Sequence, residues 1–153
     1  MKKKSIIIFC FLILGFYFTC PLNINSASKN ISSQEESRGL TNYRMGFFEK
    51  NMLAKANKLY EEKKYDDALE AYRELRDKYM ENPIAYYGMG SVYFSTGIYD
   101  LAIDRFSTAI KLDPEFVPAI KWLGNCYMKK GNKEAADRYR NMAEEVIRNK
   151  VKK

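Results

Sequence analysis

The chain repeats itself at an interval of thirty-four residues, and no other feature of its 153 residues restricts the fold so tightly. Between Pro83 and Phe116 it places Tyr86, Met89, Gly90 and Tyr93, then Gly97, then Tyr99, Ala102, Phe106, Ala109 and Pro114. One period further on, the same residue types return as Leu123, Gly124, Tyr127, Gly131, Ala136 and Ala143. One period back they are Ala56, Leu59, Tyr65, Ala68, Tyr72 and Leu75. Three copies therefore occupy residues 49–82, 83–116 and 117–150 with no insertion or deletion. In each, apolar residues recur at three-and-four spacing on two segments, which is the pattern of two amphipathic helices joined by a tight turn. A lone hairpin of this kind leaves an apolar face in water, whereas stacked copies bury it. The sequence predicts an all-α protein with helices over about 44–62, 66–80, 84–95, 99–111, 117–129 and 133–149.

The turn chemistry agrees with that division. Gly97 and Gly131 can adopt the left-handed conformation that ends a helix, and Asn132 can cap the helix that follows. Lys63 takes the glycine position in the first copy and weakens the turn signal there. Pro83, Pro114 and Pro118 fall at helix starts or between hairpins, where a missing N–H does no harm. Close helix approach is expected at Ala56 with Ala68, Gly90 with Ala102, and Gly124 with Ala136. The bulky residue of the second helix is Tyr72 or Phe106 in the first two copies and is expected to wedge against the following hairpin. The third copy has Arg140 there, a residue suited to the solvent-facing end of a stack and expected to be exposed.

These residues resemble the signature of the tetratricopeptide repeat family over about two thirds of the chain. The small residue, the aromatic three positions later and the second-helix alanine match at Gly90, Tyr93 and Ala102, and again at Gly124, Tyr127 and Ala136; Pro114 matches the closing proline. The resemblance implies a right-handed α-solenoid of three helix-turn-helix repeats that binds other proteins in a concave groove lined by the first helix of each hairpin. Carried over copy by copy, the groove positions are Leu53, Asn57, Tyr60 and Glu61; Tyr87, Ser91, Phe94 and Ser95; and Lys121, Asn125, Met128 and Lys129. Aromatic rings there offer contact area, and the Asn amides can bond a peptide backbone in both directions. The competing role for Tyr60, Phe94 and Met128 is to fill gaps between hairpins. Chaperone-binding members of the family clamp a C-terminal carboxylate with Lys, Asn and Arg. The corresponding positions here are Leu53, Asn57, Gly88, Pro118 and Trp122, of which only Asn57 agrees. A ligand other than such an acidic tail is expected.

Several chemistries drop out on composition. The chain has no histidine, which removes His-based acid–base catalysis, Ser–His and Cys–His nucleophiles and His-containing metal sites. Its glycines are spread over repeat turns and helix contacts and form no phosphate-binding loop. Asp66–Asp67 opens a helix, where carboxylates complement the dipole, and Glu144–Glu145 falls on an outer face. The sequence therefore points to a non-enzymatic protein with no cofactor and no metal, whose partner is a protein or peptide. Net charge is +7, but three lysines precede residue 5, and the remaining 23 bases face 19 acids. Nucleic acid is not an expected partner: Arg148, Lys150, Lys152 and Lys153 complement the negative end of the last helix. A second expected association is homo-oligomerisation through the open first hairpin, where Phe47 and Phe48 precede the repeats.

The N-terminus is of a different kind. Lys2, Lys3 and Lys4 precede an apolar run from Ile6 to Phe18, the layout of a secretory signal and shorter than an ordinary membrane span. Residues 1–27 are read as a signal peptide or membrane anchor, and residues 28–43 as a polar linker. Three fates stay open: cleavage near Ala27 or Ser28, lipidation at Cys20, or retention of the run as an anchor that associates with the membrane. In each, the repeats face away from the cytoplasm, as a periplasmic, secreted or membrane-anchored protein of the cell envelope. Cys10, Cys20 and Cys126 are too few for a disulfide framework, and Cys126 is expected in the core.

Overall fold

The structure is a computed structural model that describes residues 43–152. The expected leader, Cys20 and the linker up to residue 42 lie outside the described residues. Six helices follow in order: α1 (Phe47–Glu61), α2 (Tyr65–Lys78), α3 (Pro83–Ser95), α4 (Tyr99–Leu112), α5 (Val117–Lys129) and α6 (Lys133–Val151). No strand occurs among the described residues. Packing is closest within α1–α2, α3–α4 and α5–α6, and then between α2 and α3 and between α4 and α5. Three consecutive hairpins thus stack in chain order, which is the solenoid that the period requires.

The first helix of each hairpin stops for the same reason in all three copies. Lys63, Gly97 and Gly131 have φ of 59°, 80° and 79°, and in each copy the next amide reaches back to a carbonyl of the last turn. Those bonds are Lys64 N to Leu59 O, Ile98 N to Tyr93 O and Asn132 N to Tyr127 O, at 2.8–2.9 Å. The lysine at 63 therefore does not alter the turn; it makes the turn in a conformation that a side chain disfavours. Asn132 caps α6 by accepting from the Ala135 amide at 3.0 Å, and Asn82 caps α3 by accepting from the Ile84 amide at 2.8 Å. Pro83 is the first residue of α3, and Pro118 lies in the first turn of α5.

Helix α1 starts three residues later than the spacing suggests. Gly46 is extended, and the Glu49 carboxylate accepts from the Gly46 amide at 2.6 Å, a cap that fixes the helix start at Phe47. Glu49 is itself buried, with 6% exposure, and also accepts from the Tyr43 hydroxyl at 2.7 Å and the Asn82 amide at 3.4 Å. Asn82 is fully buried, so one carboxylate ties the start of α1 to the link between the first two hairpins.

The core is built from small residues on both helices of a hairpin and large side chains between them. Ala56, Ala68, Ala102, Ala109, Ala136 and Ala143 are buried together with Leu75, Met89, Phe106, Phe116, Ile120 and Leu123. Gly124 behaves as expected: a Cβ there would lie 3.3 Å from the Ala136 carbonyl oxygen. The space beside Gly90 is filled by the Phe106 ring, whose nearest carbons stand 2.8 Å from where a Cβ would be. Tyr72 does wedge against the next hairpin, lying over Gly88 with ring carbons 2.3–2.6 Å from a Cβ position. Arg140 is exposed and pairs with Asp137 at 2.8 Å, while Met142, Val146 and Ile147 on the same helix pack against Val117 and Ile120.

Candidate functional site

The side of the stack available for a partner follows from which helices approach one another. Along the stack, α1 meets α3 and α3 meets α5, whereas neither α2 with α4 nor α4 with α6 makes a comparable approach. First helices are therefore drawn together on the inside of the curve and second helices are splayed on the outside. The twelve positions singled out from the sequence lie on α1, α3 and α5.

The first two hairpins hold several of these side chains in internal bonds. Tyr60 and Ser95 share a hydroxyl–hydroxyl hydrogen bond of 2.8 Å that bridges α1 and α3. Asn57 accepts from the Tyr72 hydroxyl at 2.7 Å, so its amide oxygen is oriented by a ring that comes from the second helix. Burial pushes the Tyr72 hydroxyl well above the ordinary tyrosine range, which keeps it a proton donor to Asn57. Leu53 is half-buried against the core around Ala56, Tyr72 and Met89. Ser91 donates to the Tyr87 carbonyl of its own helix at 3.0 Å. The Tyr87 ring packs at 5.7 Å from Phe106 and 5.3 Å from Phe116.

Between the second and third hairpins the aromatic contact is Phe94. Its ring makes edge contacts with Trp122 at 4.8 Å and Tyr99 at 5.5 Å, so Phe94 fills the gap between hairpins. Met128, in the equivalent position one copy later, is 42% exposed. Lys121, Asn125 and Lys129 are exposed on the same helix. The structure thus separates the candidate face into a braced part on α1 and α3 and an open part on α5.

Charge is distributed unevenly over the same three helices. Helix α3 carries no charged residue, and α5 carries Lys121 and Lys129 with no acid. Helix α1 carries the exposed Lys50, Lys55 and Lys58 as well as the exposed Glu61. A bound chain would therefore meet mixed charge at the first hairpin, a neutral stretch at the second and two cations at the third. The role of Tyr72 in orienting Asn57 is not written in the helix spacing. Its signal was in the repeat itself, because Gly88 stands where the next copy has Trp122, and a missing side chain in that register marks the place of another ring. The Glu49–Asn82 pair had no such signal, since Phe116 occupies the position one period after Asn82.

Among the described residues no group of three His, Cys, Asp or Glu side chains could hold a metal ion. Cys126 is fully buried, and burial pushes its thiol up to about 12, far from the range of a nucleophilic thiolate. Among the described residues no helix is long and apolar enough to cross a membrane.

Three stacked antiparallel helical hairpins define a helical-repeat protein of the α-solenoid class. Residues 53–115 match the tetratricopeptide repeat family model. Over those residues the chain is similar to that family. It is 31% identical over 101 residues to small glutamine-rich tetratricopeptide repeat-containing protein 2 of Mycosarcoma maydis, which covers 65% of this chain and 29% of that protein. The chain spans less than a third of the curated relatives it matches. Among solved structures, MamA is 26% identical with a TM-score of 0.65, covering 69% of this chain and 61% of that one. The Yersinia enterocolitica type III secretion chaperone SycD, solved with a peptide of the translocator YopD, is 23% identical with a TM-score of 0.63, covering 67% of this chain and 79% of that one.

Proposed function

We propose that this chain is an exported, non-enzymatic interaction scaffold that holds an extended or helical segment of a cell-envelope protein in the groove of its repeats. The observation that carries the reading is the open face of α5, where Lys121, Asn125, Met128 and Lys129 project beside an uncharged α3. The SycD neighbour, solved with a peptide of its translocator, supports the choice of a peptide ligand. The N-terminal basic and apolar runs support export. The charge sequence of the groove favours a segment that is uncharged in its middle and acidic where it passes α5. The preference is for acidic side chains along the segment, because the residues that would clamp a terminal carboxylate are absent at all but Asn57.

Binding is tested by capture from an envelope extract with the wild-type chain and with Lys121→Glu plus Asn125→Ala. Both sites are exposed, so helical content is expected to be unchanged. Capture of a discrete partner by the wild type and its loss in the variant support the groove; equal capture by both overturns it. Export has its own test in mass spectrometry of the N-terminus of the protein from fractionated cells. An unprocessed chain confined to the cytoplasm overturns that part.

A further inference from the structure

We propose that the first-hairpin end of the stack docks on an anionic lipid surface through Phe47 and Phe48. Both rings stand at the first turn of α1 and are 73% and 69% exposed, in edge contact with each other at 5.7 Å. An exposed pair of large aromatic side chains at a helix start is unusual for a soluble repeat, whose end faces are normally polar. The opposite end of the stack follows that rule, with Arg138, Arg140, Glu144, Glu145 and Arg148 exposed on α6.

The charges around the two rings choose the occupant. From residue 43 to residue 60 the chain has four exposed bases, Arg44, Lys50, Lys55 and Lys58. Its single acid in that stretch, Glu49, is buried and occupied by Tyr43, Gly46 and Asn82. Of the four bases, Lys55 has a partner, Glu74 at 3.9 Å, on the surface. An apolar wedge beside cations, with the one exposed acid of the helix, Glu61, at its far end, is what an anionic headgroup layer attracts. A second copy of the chain fits less well. A two-fold interface would place this patch on itself and bring like charges together. Connectivity agrees, because α1 is the helix joined through residues 19–46 to the apolar run Ile6–Phe18.

The test uses the full chain with Phe48→Trp, so that the surface itself reports its surroundings. The wild type, whose single tryptophan is Trp122, supplies the baseline. The protein is mixed with phosphatidylglycerol vesicles carrying brominated acyl chains, with matched phosphatidylcholine vesicles, and with no lipid. The expected result is a blue shift and quenching of the added emission by phosphatidylglycerol alone. Adding Arg44→Glu and Lys50→Glu is expected to weaken that partition by more than about fivefold per site, because each reversal removes an attraction and adds a repulsion. Sedimentation with vesicles while position 48 stays unquenched overturns the proposal, since the apolar run alone then holds the chain. Equal quenching by phosphatidylcholine also overturns it. A blue shift without lipid that grows with protein concentration overturns it in favour of a second copy of the chain.

Discussion

Phe106→Ala and Arg140→Ala change the same register position in neighbouring repeats, and the stack predicts opposite outcomes. Phe106 is fully buried, and its ring fills the space beside Gly90 and packs on Tyr87 at 5.7 Å. Truncating a buried phenylalanine costs about 3–5 kcal/mol, and the upper part of that range applies where neighbours cannot close the hole. The wall here is a glycine on α3, which has no side chain to move in. Arg140 lies on the solvent side of α6 and loses an exposed pair with Asp137 at 2.8 Å, a change of about 0–1 kcal/mol. A domain of this size has roughly 5–15 kcal/mol in total, so the first substitution removes a large share and the second almost none. Urea titrations followed by far-ultraviolet circular dichroism separate the two. Phe106→Ala is expected to lower the midpoint strongly with little change in slope, and to lower Tm by at least about 12 °C at roughly 4 °C per kcal/mol. Equal losses for the two variants would refute the assignment of α6 as the solvent-facing end, and a loss below about 1 kcal/mol for Phe106→Ala would refute the packing against Gly90.

Three further outcomes follow from local geometry. Gly88→Ala places a methyl group 2.3 Å from the buried Tyr72 ring and is expected to cost about 1–3 kcal/mol by overpacking; a double-mutant cycle with Tyr72→Ala should remove most of that cost, and full additivity would exclude the contact. Lys63→Gly relieves a left-handed lysine at φ 59° and is expected to stabilise by roughly 0.5–1 kcal/mol, the excess of the αL penalty over the entropy that glycine adds to the unfolded chain; a lower urea midpoint would contradict it. Cys126 is held as a thiol by burial, which pushes its pKa up to about 12 from the ordinary thiol value of 9.0. Its contribution is fully present below the unfolded pKa and is lost as pH rises from about 9 to about 12, because the unfolded chain releases the proton first. Cys126→Ala should therefore lose stability less steeply over that interval; identical slopes would show that the thiol titrates freely in the fold.

The sequence was most legible where a residue type has a single geometric use. Gly97 and Gly131 marked left-handed turns, Asn132 marked a cap, and the buried alanines marked the faces where helices approach. It was less legible where two side chains could serve one contact. Register pairs Gly90 with Ala102 but is silent on Phe106, whose ring reaches the same glycine from one turn further along. The start of α1 moved from 44 to 47 because a buried carboxylate at Glu49 caps Gly46, and burial of an acid is not written in local spacing.

The candidate groove divides along the same line. Register alone placed twelve residues on the first helices, since a fixed period turns one copy's geometry into the next one's. Which of them are open to a partner was decided by contacts between hairpins: Phe94 is taken up by Trp122 and Tyr60 by Ser95, while Lys121, Asn125 and Met128 face outward.

Taken alone, the sequence determined the number of hairpins, their order and their turns, because those depend on backbone conformation and on apolar spacing within thirty-four residues. The tertiary structure decided the rest: which rings brace neighbouring copies, that Tyr72 orients Asn57, and that an acid lies buried at Glu49. Such contacts join residues from 15 to 35 positions apart, and their outcome rests on how the side chains of separate helices compete for the same space.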